Sequence, residues 1–407
     1  MRRLKVEAVS AQDDSTSLRS HHGPEADELT ILCRPDRDAH DPAAQAEAAY
    51  RALARTLSAH AANAAHVASE SLFVRDAARD VPTILAARER VLDGAAPLPF
   101  VIGQPPASGA ALELLASVVV PRDAAAWSVR DVRASSTCGC AGCAASGARL
   151  LRLRGQTTLH TSNLYGAGGD AYEQARAAFR AGDRLLAQCG LGFGDVVRAW
   201  IQLRDIDRDY HALNAARRDF FAERGIVLRP ASTGVGGVPF PSEHRVSLTL
   251  QAVRRERPLA VARMSTPLLN EAWSYGADFS RGLRVDEANR TTLHVSGTAS
   301  IDEAGHTVHT GDFAAQVERM LDNVDSLLAG CGATRADLAG GVTYLKRARD
   351  AATLHAIYRR RGFDAFPCAI VEADLCRPEL LCETEVVAFL DADGAAAKAL
   401  PPAGAGA

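Results

Sequence analysis

Cys138-Gly139-Cys140-Ala141-Gly142-Cys143 places three thiols close together, a spacing from which a zinc ion could take ligands. A tetrahedral site needs a fourth ligand, for which His160 is the available histidine; the competing reading is a linker with free thiols. A different chemistry is offered near the end of the chain, where Glu383 opens a β-rich run six residues after Arg377 and its neighbour Cys376. A carboxylic acid can deliver a proton and a guanidinium can hold a carboxylate. A lone glutamate on a terminal strand is ordinarily solvated, and an arginine is ordinarily a surface ion-pair partner. Cys376 has no histidine close in sequence, so it reads as a small buried residue, not a nucleophile.

Other candidates are weaker. Glu113 opens a comparable run without an arginine in it, and Glu243 with Arg245 follows Pro241-Ser242 on a turn expected to be solvated. His294, His306 and His309 lie near one another, but a strand-turn-strand would point His306 and His309 to different faces, so all three are expected at the surface or a pocket rim. Gly234-x-Gly236-Gly237 lies between a helix and a strand, the reverse of a phosphate cradle, and is expected to be a tight turn.

These residues need a scaffold, and the sequence supplies one pattern three times. From Asp312 to Cys331, the apolar residues Val317, Met320, Leu321, Val324, Leu327 and Leu328 recur at helical spacing behind the N-cap Asp312. Val342-Thr343-Tyr344-Leu345 then predicts a strand, Ala351 to Arg361 a helix, and Glu383 to Val387 a closing strand. The same order runs through Tyr172 to Leu186, Trp200 to Leu203, Tyr210 to Arg224 and Val246 to Leu250. It runs a third time from Asp41-Pro42 through Ser71 to Val74 and Val81 to Val91, ending at Leu112 to Val120. Gln45 to Phe73, Gln174 to Gln202 and Gln316 to Tyr344 are each 28 residues apart, a register that argues for duplication. The expected organisation is a loose segment 1–30, a degenerate unit 31–125, a second unit 150–255 and a third 265–392. The fold class is α+β, a mixed sheet covered by helices in each unit, with the three units closing as a pseudo-trimer within one chain.

Composition limits the partners. The 407 residues are 47% hydrophobic and 23% charged, and 46 basic and 49 acidic residues are interspersed. No basic face would gather nucleic acid, and no apolar run would span a membrane. Nine irregularly placed cysteines read as reduced, and the expected compartment is the cytoplasm. With the threefold ring closed internally, the chain is expected to be a monomer or weak dimer.

The third unit reads Val295-Ser296-Gly297-Thr298-Ala299-Ser300-Ile301, then Gly305 to Asp312, then Asp374-Leu375-Cys376-Arg377-Pro378-Glu379-Leu380-Leu381-Cys382-Glu383-Thr384-Glu385. It resembles the C-terminal domain of the chorismatases, a branch of the Rid (YjgF-like) superfamily. Val196 to Trp200, Asp205 to Asp207 and Pro230 to Gly236 are similar to that family's preceding domain. The resemblance implies Glu383 as catalytic acid, with Cys376, Arg377 and Gly297 as pocket neighbours; cysteine and glycine at those positions look like the 3-hydroxybenzoate-forming branch.

It further implies chorismate as substrate, protonated on its enolpyruvyl methylene and released as a hydroxybenzoate and pyruvate, with no metal or redox cofactor. A glutamate donating a proton at neutral pH must be desolvated. The substrate's two carboxylates call for arginines, Arg377 first and Arg281 and Arg198 after it. Two alternatives use the same scaffold: a Rid-type hydrolase of imines or enamines (or a related cyclase), and a non-catalytic metabolite binder. The hydrolases hold the substrate carboxylate with an arginine after a Phe-Pro pair, whereas Phe366-Pro367 is followed here by Cys368-Ala369.

Overall fold

The computed structural model describes residues 15–35, 41–92, 94–134, 146–241, 243–256 and 259–392. In chain order the first unit contributes β1 (Thr16–His22), β2 (Ala26–Cys33), α1 (Pro42–Ala59), β3 (Val67–Val74), α2 (Ala77–Leu92), β4 (Phe100–Gly103) and β5 (Leu112–Pro121). The second contributes β6 (Trp127–Arg133), β7 (Gly147–Leu153), β8 (Gln156–Thr161), α3 (Ala171–Gln188), β9 (Val196–Leu203), α4 (Ile206–Arg224), β10 (Ala231–Gly236), β11 (Val238–Pro239) and β12 (Val246–Arg255). The third contributes β13 (Ala260–Arg263), β14 (Gly282–Asp286), β15 (Arg290–Ala299), α5 (Phe313–Gly330), β16 (Leu338–Leu345), α6 (Ala351–Arg361), β17 (Cys368–Glu372) and β18 (Cys382–Asp391).

The first helix of each unit starts at an aspartate whose carboxylate accepts a backbone N–H: Asp41 from Ala43, Asp170 from Glu173 and Asp312 from Ala315. In α5 the predicted apolar stripe is fully buried against its sheet. Each Leu, Val or Met so placed contributes roughly 1.5–3 kcal/mol, which outweighs the weak propensity of the polar face. Helices α4 and α6 end at Gly225 and Gly362, both left-handed, where glycine adopts the conformation without the strain a Cβ brings.

The sheets have six strands each, in the orders β1-β2-β5-β3-β4-β11, β6-β7-β8-β12-β9-β10 and β13-β14-β15-β18-β16-β17. Within each, the closing strand (β5, β12, β18) runs antiparallel between its neighbours, while β3/β4, β9/β10 and β16/β17 are parallel pairs joined by a crossover helix. Helices cover one face; the other faces the pseudo-threefold axis. The second unit lends β11 to the first sheet, pairing with β4. At one end of the axis the units are tied by polar side chains: Gln156 donates to Glu287 at 2.7 Å, Asn289 donates to Glu28 at 2.7 Å, and Arg290 pairs with Glu28. Beside this network lies an axial cavity of about 190 Å³ lined by all three units. Among the described residues no helix is long and apolar enough to cross a membrane.

Several boundaries differ from the expectation. Residues 16–33, expected mostly loose, are two strands. Apart from Leu18, β1 has no apolar side chains, because its buried residues are Arg19, which donates to the carbonyls of Ala336 and Ala365, and His21, which meets Phe389 edge-on. Its inward face packs on the third unit, a contact invisible to local periodicity. The second and third sheets begin at Trp127 and Ala260, not at 150 and 265, each with a half-exposed edge strand. Gly234 and Gly236 lie in strand β10, not in a turn.

Candidate active site

The 28-residue register has a physical origin. The buried side chains of Gln45, Gln174 and Gln316 accept the backbone N–H of Ala111, Arg245 and Leu381, at 2.7, 2.8 and 2.8 Å. Each amide thereby fixes the chain entering the closing strand, and two residues later stand Glu113, Ser247 and Glu383. These three face Phe73, Gln202 and Tyr344 across the sheet. They are one structural position, repeated at three clefts.

Glu383 faces the cleft between the second and third units and is 5% exposed. Strand β15 bulges there, between Val295 and Thr298, and brings Gly297 under the carboxyl. A Cβ on Gly297 would sit 2.0 Å from Glu383 Oε1, so no other residue fits without displacement. The bulge is held from the second unit: Gly297 N–H donates to Thr233 Oγ1 at 3.0 Å, and the same oxygen accepts from Arg198 Nη2 at 2.6 Å. Desolvation, reinforced by Glu385, pushes the Glu383 carboxyl up to about 8; Arg281, Arg198 and Arg377 act in the opposite sense without prevailing.

Two of the sequence-predicted arginines flank this carboxyl. Arg377 donates to Gly305 O at 2.8 Å and Thr307 Oγ1 at 3.3 Å; Arg281 donates to Asn270 O at 2.8 Å and Asn270 Oδ1 at 3.3 Å. Both stack on Tyr275, at 5.1 and 5.2 Å. Neither forms an ion pair among the described residues, although most arginines whose contacts appear in this chain do. Two guanidiniums so placed can hold an anion. Cys376 lies beside the same carboxyl; burial first, then Glu383, raise its thiol to about 12, so it stays protonated.

Arg198 departs from the expectation. It is almost fully buried, donates to Glu385 Oε2 at 2.7 Å and lies over Trp200, whose Nε1 donates to Glu385 Oε1 at 2.7 Å. Its charge is already neutralised inside the protein, so it is not a free carboxylate ligand. Arg217, missed in the sequence, lies 3% exposed over Phe279, donates to Asn214 at 2.5 Å and has no partner for Nε. Tyr210, Asn214 and Arg217 form a polar stripe at helical spacing on α4, a visible signal that reads equally well as a solvated face.

The other clefts are closed. Glu113 lies between the first and third units, where burial raises its carboxyl. Its own strand has no arginine, but Arg34 approaches to 3.8 Å from outside that strand, and Ser108 donates to Glu113 at 3.3 Å. Backbone bonds from Ala107 to Ile370 and from Glu372 to Pro105, both 2.8 Å, stitch this cleft shut. At the third cleft Asn163 donates to Ser247 at 2.8 Å and grips the backbone of Val101. Glu243 is exposed, and Arg245 turns to Asp209 at 3.3 Å.

His294 is not at a rim: it is buried beside the axial cavity, and burial followed by Arg198 and Arg290 keeps its imidazole well below the ordinary range. His160 also lines that cavity. Cys138, Cys140 and Cys143 lie outside the described residues.

The family model described as endoribonuclease L-PSP matches residues 144–253 and 273–390, that is, the second and third units. A 3-hydroxybenzoate synthase of Streptomyces hygroscopicus is 26% identical over 242 residues, 53% of this chain and 69% of that protein. A chorismatase of Streptomyces rapamycinicus is 28% identical over 223 residues, 48% of this chain and 65% of that one. The chain thus spans about two thirds of the length of these curated relatives. A 3-aminoacrylate deaminase of Acinetobacter baylyi is 28% identical over 99 residues, 24% of this chain and 79% of that protein. A chorismatase crystal structure superimposes with a TM-score of 0.58 at 18% identity over 80% of this chain and 93% of that one, a likeness of fold. That coverage exceeds what the second and third units contain, so part of the first unit shares the architecture although the family model does not reach it.

Proposed function

Because the chain belongs to the endoribonuclease L-PSP family and to its chorismatase-like branch, we propose that it cleaves chorismate to a hydroxybenzoate and pyruvate, with 3-hydroxybenzoate favoured. Glu383 is the general acid in this reading. It protonates the terminal methylene of the enolpyruvyl group to give an oxocarbenium ion; the neighbouring ring hydroxyl adds to that carbon, and its ring C–O bond then breaks so that its oxygen leaves in pyruvate. Loss of a ring proton, which repays the one Glu383 gave, aromatises the ring with the ether oxygen kept as the phenol. Chorismate and the two products balance without an external oxidant or reductant.

The observation that carries the reading is a carboxyl held protonated by burial, up to about 8, beside two arginines without anionic partners. Arg281 and Arg377 receive the substrate carboxylates, Tyr275 between them gives an aromatic wall, and Cys376 and Gly297 shape the floor. Gly297 and Cys376 support 3-hydroxybenzoate as product through the resemblance already described.

The imine-hydrolase reading has less support. Cys368, where that chemistry would need an arginine, is a buried thiol bonded to Thr343 at 3.4 Å.

The test is incubation of purified protein with chorismate, with pyruvate followed by a coupled reductase and the aromatic acid by chromatography. Activity should be flat through neutral pH and fall as Glu383 ionises near pH 8. No pyruvate, under conditions where a known chorismatase releases it, would remove the reading.

A further inference from the structure

Strand alternation puts Glu383 and Glu385 on the same face of β18, roughly 7 Å apart along the strand. Their surroundings differ sharply. Glu385 accepts from Arg198 Nη2 and Trp200 Nε1, each at 2.7 Å and each from the second unit. A donor set of guanidinium and indole N–H matches a carboxylate anion on both oxygens. Glu383 accepts no hydrogen bond from any described residue.

The same guanidinium also holds Thr233, which in turn holds the Gly297 bulge beneath Glu383. One buried arginine therefore fixes both the neighbouring charge and the floor of the site. The arrangement occurs at one cleft only. At the positions equivalent to Glu385 the other units have Leu115 and Thr249, and at those equivalent to Arg198 they have Ser69 and Gly340.

We propose that Glu385 is a positioning residue for the reaction, an anion clamped across the unit boundary by Arg198 and Trp200 whose charge keeps the proton on Glu383. The proposal rests on the reading of Glu383 as general acid. The groups that act on Glu383 come from every element around it. Arg198 on β9 acts on it from the second unit, and on α4 Tyr210 neighbours Cys376 and Tyr275, with Arg217 beside Tyr210 and Tyr275. From the third unit come Arg281, Tyr275, Arg377, Cys376 and Tyr344. Arg281, Arg198 and Arg377 favour ionisation of Glu383, and Glu385 is the one carboxylate among the described residues shown opposing them. Without it, burial alone must hold the proton against three cations. At an effective dielectric near 20, unit charges roughly 7 Å apart change a protonation equilibrium by roughly tens of fold, so the half-titration point should move by roughly one to two pH units.

The experiment reads that point without substrate. Infrared difference spectra between the natural protein and Glu383→Gln isolate the carboxylic-acid carbonyl band of Glu383, which is followed against pH. The natural protein should lose the band with a midpoint near 8. In Glu385→Gln, against a Glu383→Gln/Glu385→Gln reference, the midpoint should fall by roughly one to two units, and Glu385→Asp should restore most of the loss. If the single variant does not fold, Arg198→Met with Glu385→Gln removes both charges together. A smaller downward shift is still expected, since Glu385 acts on Glu383 more strongly than Arg198 does. An unmoved midpoint in whichever variant folds overturns the proposal, even where chorismate is turned over normally. A moved midpoint in a protein that releases no pyruvate leaves the proposal standing and removes chorismate as substrate.

Discussion

Glu113 and Glu383 occupy the same position in two units, both are buried and both are pushed above the ordinary carboxylate range by desolvation. Yet only Glu383 has the makings of a site. Glu113 is met by Ser108 and Arg34 and enclosed by backbone bonds between units, whereas Glu383 has a glycine beneath it, no hydrogen-bond donor and two unpaired arginines alongside. A homotrimer would repeat one cleft three times. Duplication within one chain lets two clefts become joints while the one at Glu383 keeps an acid without a hydrogen-bond donor beside unpaired cations, so burial of an acid marks a site only where its surroundings leave charge for a ligand.

The sharpest break of this comparison is by exchange of the acids. Glu383→Gln should lower turnover of chorismate by roughly 10²- to 10⁴-fold, because the amide keeps the shape and cannot protonate carbon. Glu113→Gln should leave the rate nearly unchanged, and equal losses in the two would end the distinction.

Next come the arginines. Arg281→Gln and Arg377→Gln each remove one charge-assisted bond, worth about 1.5–3 kcal/mol, so kcat/KM should fall roughly 10- to 100-fold, mainly through KM. Arg34→Gln, beside Glu113, should leave kcat/KM unchanged.

A smaller effect is expected at the floor of the cleft. Gly297→Ala drives a methyl against Glu383 Oε1, at 2.0 Å before relaxation, and the crowding should cost about 1–3 kcal/mol of stability in denaturant unfolding as well as activity.

The smallest is a pH effect on stability at the closed joint. The Glu113 carboxyl is raised in the folded state, so between its unfolded and folded values the native protein binds more protons than the unfolded chain, and stability falls as pH rises. Glu113→Gln should flatten that slope above the ordinary glutamate range, as read by unfolding midpoints across pH.

Much of the fold was legible because its signals are local. The aspartate caps, the α5 stripe and the glutamine register each act within a single unit, and the glutamines recur because each must hold the same backbone N–H. Of the strands that escaped notice, some are edges, with β1 turning Arg19 and His21 onto the third unit and β6 and β13 half-exposed, whereas β2, β7, β8 and β14 lie inside their sheets. The site was half legible. Glu383, Arg377 and Cys376 are sequence neighbours, and Arg281 and Gly297 lie in the same unit. The roles of Arg198 and Glu385 depend on a bond between residues 187 apart, which no spacing rule anticipates. Glu113 was set aside for want of an arginine in its own strand, and Arg34 reaches it from the strand alongside.

The central claim is that one cleft of three receives the substrate, and it is tested most directly by a crystal structure of Glu383→Gln soaked with chorismate. The account predicts intact chorismate between the second and third units, a carboxylate on Arg281 or Arg377 and its methylene within reach of residue 383. Chorismate bound instead in the axial cavity or beside Glu113, with the Arg281–Arg377 cleft vacant, would contradict it.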